Sequence, residues 1–253
     1  VRRAGQGLYA LYLAVVLPAV VLPVWAIVAL VPSRSLAFAL GRGGTRVGLR
    51  LMGCRLSVEG LDQLPREGSV VLACNHASYV DVFALVALLP RHVLFVAKKE
   101  VLGYPIIRTF VRRLGYPTVD RVDFQRSLAD ADRVTEALGA GEAVLFCPEG
   151  TFVAATGLRP FRLGAFKGAV DAGVPVVPLA LRGTRQVLRG DDVLPRPGPI
   201  HLFAGPALTP EGNDISALVG FRDRVADVIA AHCGEPRLDL VAAGVERRPE
   251  VPR

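Results

Sequence analysis

Between residues 55 and 204, short apolar runs of β character alternate with stretches of helical period, and that alternation limits the chain to few architectures. The runs are 56–58, 70–74, 93–97, 116–119, 143–147, 174–181 and 200–203. Helical patterns lie at 79–89, 105–114, 125–138 ahead of Gly139, and 161–172 ahead of Gly173. A last amphipathic helix is expected over 214–233, with Ile215, Leu218, Phe221, Val225 and Ile229 on its apolar side. Strands joined by helices of this length predict an α/β fold, a largely parallel central sheet flanked by helices. In such sheets ligand groups collect beyond the carboxyl ends of the strands, so the residues after each run are the ones to examine.

The amino-terminal part reads differently. Arg2 and Arg3 precede an uncharged segment that continues to Ser33 and is long enough to cross a bilayer, which needs about 20 apolar residues. Pro18 and Pro23 should kink or break a helix there, leaving two readings: a kinked span, or two half-helices that enter one leaflet and return. The next segment, 33–53, is expected to be an interfacial helix. It would set Leu36, Leu40, Val47 and Leu51 on one face, and Arg42, Arg46 and Arg50 on another that pairs with anionic headgroups. Beyond Gly234 the chain is charged and contains proline, so a poorly ordered tail, 234–253, is expected.

Charge and cysteine use narrow the classes. The net charge of +7 suits nucleic acid, an anionic membrane or a phosphorylated substrate. No Lys/Arg run is interleaved with aromatic residues, so no nucleic-acid partner is expected, and a 51% apolar content favours the membrane. Cys54, Cys74, Cys147 and Cys233 are widely spaced and form no Cys-x-x-Cys pair, which predicts neither disulfide nor zinc site. His92, His201 and His232 show no ligand spacing, so no metal is expected. A Cys147 nucleophile would lack a base, because Pro-Glu-Gly follows it.

The residues after the strands are chemically coherent. Asn75 and His76 follow run 70–74, with Asp81 about one helical turn further on. Lys98, Lys99 and Glu100 follow run 93–97, Asp120 and Arg121 follow 116–119, and Pro148, Glu149, Gly150 and Thr151 follow 143–147. A histidine with a carboxylate partner can take a proton from a hydroxyl. Cations and backbone N–H groups on the same rim suit a phosphate. Each piece has a plainer reading, as a turn, a helix cap or a surface ion pair; their shared place at strand ends is what binds them together.

These blocks resemble the glycerolipid acyltransferases of the 1-acyl-glycerol-3-phosphate acyltransferase type. Asn75-His76 through Asp81 is similar to that family's His-x4-Asp block, and Gly115 through Arg121 to its second block. Phe146-Cys-Pro148-Glu149-Gly150-Thr151 is similar to its Phe-Pro-Glu-Gly-Thr block, Val174 through Leu179 to its final block, and Ala97 through Glu100 to a lysine-bearing segment. The resemblance implies an acyltransferase domain over 55–233 behind membrane-associated helices in 1–54, with the protein at the cytoplasmic face of the membrane. It implies that His76 is a general base oriented by Asp81. Arg121, with Lys98 or Lys99, would hold the acceptor phosphate, while Glu149, Gly150 and Thr151 shape the pocket and offer backbone N–H groups. The acceptor would be a lysophospholipid, 1-acyl-glycerol 3-phosphate. The donor would be acyl-CoA or acyl-carrier protein, used as co-substrate with no resident cofactor.

Two departures stand out. Phe152 occupies the position after Glu-Gly-Thr where the family commonly has arginine, and Arg162-Leu163-Gly164 stands where many members carry Lys-Lys-Gly. Arg159 or Arg162 could supply the cation from the next segment. Phe152 keeps open another lysolipid or amino-lipid acceptor, and a non-catalytic lipid-binding module is the alternative of a different class.

Overall fold

Runs that are apolar at consecutive positions belong to strands covered on both faces, and the central sheet is built from them. The computed structural model describes residues 2–119, 134–212 and 214–238. Strands β1 (Arg55–Glu59), β2 (Val70–Cys74), β3 (Leu94–Phe95), β6 (Ala143–Phe146), β7 (Val176–Arg182) and β8 (Pro199–Ala204) form one sheet in the order β1-β8-β7-β2-β6-β3. Every pairing is parallel except β7 with β8, so the sheet is mostly parallel, as expected. A separate two-stranded ladder joins β4 (Ala97–Lys98) to β5 (Thr118–Val119).

Burial of β2 on both sides follows from its alternation. Val70, Leu72 and Cys74 enter one core layer with Leu85 and Leu89 of the α3 (Val80–Leu88) region. Val71 and Ala73 enter the other, with Phe166 of α5 (Gly164–Asp171) and Phe221, Val225 and Ile229 of α7 (Ile215–Cys233). Register keeps the layers continuous: Leu72 lies beside Val177 and Cys74 beside Leu179, all four on the same face. The carboxyl ends of β2, β6 and β7 therefore share one rim.

The expected strand 93–97 divides in two. Val96 still donates to Leu145 on β6 at 3.1 Å, but Ala97 donates to Pro117 at 2.9 Å, so the chain changes partner within one residue. Of 116–119 only Thr118–Val119 is strand. Of the expected helix 125–138, residues 134–138 are described and helical; the rest lies outside the described residues.

At the amino terminus α1 runs unbroken over Arg2–Leu30 with Pro18 and Pro23 inside it. This excludes two half-helices that return to one leaflet. Helix α2 (Arg34–Leu51) is capped by Ser33, whose hydroxyl accepts from the Leu36 N–H at 3.3 Å. It folds back on α1. A Cβ at Gly44 would lie 2.4 Å from Val24, so glycine there permits the close approach. Tyr9 and Tyr12 donate from α1 to the Met52 and Leu51 carbonyls at the end of α2. Among the described residues α1 is the one helix long and apolar enough to cross a membrane, and its surface is largely uncovered.

The expected apolar face of α2 lies open, and part of its expected arginine face is corrected. Its buried positions are Ala37, Phe38, Gly41 and Leu49, whereas Leu36, Val47 and Leu51 are exposed. Arg46 donates to the Ala87 carbonyl at 2.7 Å and Arg42 to Ala87 and Pro90 at 3.5 Å, so these two arginines close the carboxyl end of α3 rather than stand ready for headgroups. The expected tail also begins later than Gly234. Leu158 and Leu238 exchange backbone bonds with the 236–238 and 158 segments, and Glu235 is bound by Arg185. The remainder, 239–253, lies outside the described residues.

Candidate active site

At the carboxyl end of β2 the backbone leaves the sheet without losing its partner. Asn75 donates from Nδ2 to the Leu181 carbonyl (2.9 Å) and accepts at Oδ1 from the Leu181 N–H (2.7 Å), so a side chain continues the ladder with β7. That frees the chain to turn at His76, whose N–H donates to Glu149 Oε1 at 2.6 Å. The other Glu149 oxygen accepts from the Arg159 N–H at 2.9 Å. One buried carboxylate thus ties the loop after β2 to the loop after β6. Burial pushes the Glu149 carboxyl up to about 7, against the opposing pull of the two N–H donors.

The turn into α3 carries the partner of His76. Asp81 is 1% exposed, and its Oδ2 accepts from His76 Nδ1 at 2.8 Å, from the Ala77 N–H at 2.6 Å and from the Ser78 N–H at 2.9 Å. Three donors on one oxygen fix the carboxylate, while Oδ1 is buried with no partner among the described residues. An ionised carboxylate only accepts, so Nδ1 carries the hydrogen and Nε2 is left as the basic nitrogen. Ser78 braces the turn, its hydroxyl donating to Leu188 at 2.6 Å and accepting from the Val80 N–H at 3.1 Å.

Beyond β6 the turn brings the cations in. Gly150 takes φ +79°, and a Cβ there would lie 2.8 Å from Arg162 Nε, so the guanidinium of Arg162 sits over the glycine. Lys98 Nζ, at the end of β4, donates to the Thr151 hydroxyl at 3.3 Å, and Arg159 to the Thr151 carbonyl at 3.4 Å. Phe152, the next residue, packs edge-to-face against the His76 ring with centroids 4.6 Å apart, and against Tyr79 at 4.7 Å. His76 is therefore packed against an aromatic ring that directly follows Thr151, where Lys98 and Arg159 are bonded.

Most of the residues singled out in the sequence meet here: His76, Asp81, Lys98, Glu149, Gly150 and Thr151. Lys99 opens a 3-10 helix (Lys99–Gly103) and is exposed. Arg121 lies outside the described residues, as does Asp120. One expected contribution is corrected: the Gly150 N–H is spent on the Cys147 carbonyl at 2.9 Å and is not offered to a ligand. Both Glu149 oxygens accept from backbone donors. Their part is to hold the shape of the turn.

The ladder-continuing role of Asn75, and Arg185 altogether, escape the sequence reading. Arg185, 7% exposed, holds Glu235 with two nitrogens at 2.6 and 2.9 Å and donates to the Val153 and Ala154 carbonyls at 2.7 and 3.1 Å. It follows the apolar run of β7, so the strand-end rule applied to that run would have flagged it.

Fold and site together define an α/β protein with a histidine paired to a buried carboxylate at the strand ends. Residues 55–182 match the Acyltransferase family, and the chain belongs to it. Among curated proteins it is 30% identical over 198 residues to a 1-acyl-sn-glycerol-3-phosphate acyltransferase of Chlamydomonas reinhardtii, covering 78% of this chain and 57% of that one. It is 25% identical over 201 residues to the protein of that name from Cocos nucifera, covering 79% of this chain and 64% of that one. To the Neisseria gonorrhoeae protein of that name it is 35% identical over 114 residues, 45% of this chain and 44% of that one. The chain thus spans less than two thirds of the length of each of these relatives. Its fold is similar to the crystal structure of the 1-acyl-sn-glycerophosphate (LPA) acyltransferase PlsC from Thermotoga maritima. The TM-score is 0.76 at 19% identity, covering 98% of this chain and 100% of that one.

Proposed function

We propose that the chain is a membrane-associated O-acyltransferase acting on 1-acyl-glycerol 3-phosphate. It would move a fatty acyl group from a thioester, acyl-CoA or acyl-carrier protein, to the free hydroxyl and so make phosphatidic acid. The carrying observation is the 2.8 Å contact of His76 Nδ1 with Asp81, on a rim that also receives Lys98. The names of the curated relatives support this acceptor.

In the proposed reaction His76 Nε2 takes the proton of the acceptor hydroxyl as its oxygen attacks the thioester carbon. A C–O bond forms, the C–S bond breaks, and the departing thiolate takes the proton from the imidazolium. Asp81 keeps the Nδ1 hydrogen and balances the transient charge. Lys98, Arg162 and Arg121 supply positive charge for the acceptor phosphate. No acyl-enzyme and no resident cofactor enter this scheme. The exposed apolar surface of α1 and α2 would seat the protein at the cytoplasmic face of the membrane, where both acyl chains reside.

The test is acyl transfer by purified protein in detergent. His76→Ala should lose about 10²- to 10⁴-fold in kcat, the usual worth of a general base. Asp81→Asn, which keeps the shape but not the charge, should fall substantially as well. Unchanged transfer by a folded His76→Ala protein would exclude the mechanism. Phe152 against the base favours a second reading, an acceptor with another headgroup. A panel of lysolipids and amino-lipids decides, since preference for a phosphate-free acceptor would displace the first reading.

A further inference from the structure

The hydroxyl that attacks has two neighbours in a monoacylated glycerol phosphate: the carbon bearing phosphate on one side and the carbon bearing the acyl ester on the other. The site around His76 has two unlike sides as well. Lys98, Arg159 and Arg162 gather around Gly150 and Thr151. One residue further, Phe152 lies against His76, and Tyr79 lies against Phe152 at 4.7 Å. Tyr79 is 63% exposed, and Phe83, four residues along and hence on the same face of the turn into α3, is 53% exposed. An apolar path therefore leads from His76 outward through Phe152 and Tyr79.

The position of Phe152 is built rather than incidental. Its loop is held by Arg185 through the Val153 and Ala154 carbonyls, and by Glu235, which accepts from the Gly157 N–H at 2.8 Å. Gly190 leaves room for the ring, since a Cβ there would come within 3.2 Å of Phe152 Cε2.

We propose that Phe152 and Tyr79 form the wall that reads the acyl chain of the acceptor, making this a specificity element that selects a chain-bearing glycerol phosphate over glycerol 3-phosphate. This rests on the acyl-transfer function proposed above. Two aromatic faces offer the first methylenes of a chain a dry surface, and they give an unacylated carbon nothing to contact. A pocket contact of this kind is worth about tenfold or more in kcat/KM.

The experiment measures kcat/KM in mixed micelles of one composition for hexadecanoyl-lysophosphatidate, hexanoyl-lysophosphatidate and glycerol 3-phosphate. It uses the wild-type chain, Phe152→Ala, Phe152→Leu and Tyr79→Ala. Variant-to-wild-type ratios for each acceptor cancel differences in micellar presentation. Phe152→Ala should lose about tenfold on the hexadecanoyl acceptor and less than about twofold on glycerol 3-phosphate, while Phe152→Leu retains most of the discrimination. Tyr79→Ala should shift selectivity in the same direction, and its exposed ring makes loss of folding no obstacle. Equal losses on all three acceptors, or no loss on any, would overturn the wall and leave the acyl-transfer function standing. A wild-type protein inactive on all three would overturn both.

Discussion

Asn75 and Leu181 are joined by a reciprocal pair of hydrogen bonds, one in each direction, between a side-chain amide and a backbone amide 106 residues away. The pair lets β2 stop two residues before His76 while its end stays fastened to β7. Removal of the side chain in Asn75→Ala leaves a buried N–H and C=O of Leu181 without partners, at a cost of about 1–3 kcal/mol for each group. Asn75→Asp should be at least as damaging, because it sets an oxygen against the Leu181 carbonyl. Both variants should lower the denaturant midpoint and also reduce kcat, since the displaced residue is adjacent to His76, the proposed base. A midpoint change without a kcat change would mean that Glu149 and Asp81 position His76 without help from Asn75.

Glu149 gives stability a pH dependence with a definite sign. Its carboxyl, at about 7 when folded against an ordinary 4.5, binds a proton more readily folded than unfolded between those values. The folded state therefore holds the extra proton in that window, and stability declines as pH rises from about 4.5 to 7, then levels. The full decline amounts to about 3 kcal/mol. Glu149→Gln should flatten that decline. It should also be less stable at low pH, because an amide can accept only one of the two N–H groups of His76 and Arg159 and turns a donor toward the other. Urea midpoints from pH 5 to 8 for both proteins check this, the difference in slope being the readout.

How much of this was legible in the sequence depends on what each residue faces. The site blocks were legible because each sits at the end of an apolar run, and a parallel sheet brings those ends to one rim. The role of Glu149 was not, because nothing in Pro-Glu-Gly-Thr tells whether the carboxylate looks outward to a ligand or inward to two backbone amides. Nor was the split of 93–97, which depends on Ala97 finding Pro117 across a loop. The arginines of α2 misled for a physical reason. Helical period alone groups Arg42, Arg46 and Arg50 on one face, but the open carbonyls at the end of α3 draw Arg42 and Arg46 inward.

The exposed apolar face of α2 makes its own prediction about membrane attachment. Leu36, Val47 and Leu51 are 50%, 45% and 39% exposed, beside the uncovered surface of α1. Burying such side chains in a bilayer gains about 1.5–3 kcal/mol for each one fully covered. Arg46, by contrast, is committed to Ala87, so its removal should act on folding rather than on attachment. Val47→Glu with Leu51→Glu should therefore reduce partitioning onto vesicles severalfold with little change in the denaturant midpoint. Arg46→Ala should lower the midpoint by about 1 kcal/mol and leave partitioning nearly unchanged. Sedimentation with vesicles containing anionic lipid, paired with unfolding in detergent, separates the two effects. If Arg46→Ala released the protein from vesicles while the glutamate pair did not, the headgroup-facing arrangement of α2 would be restored.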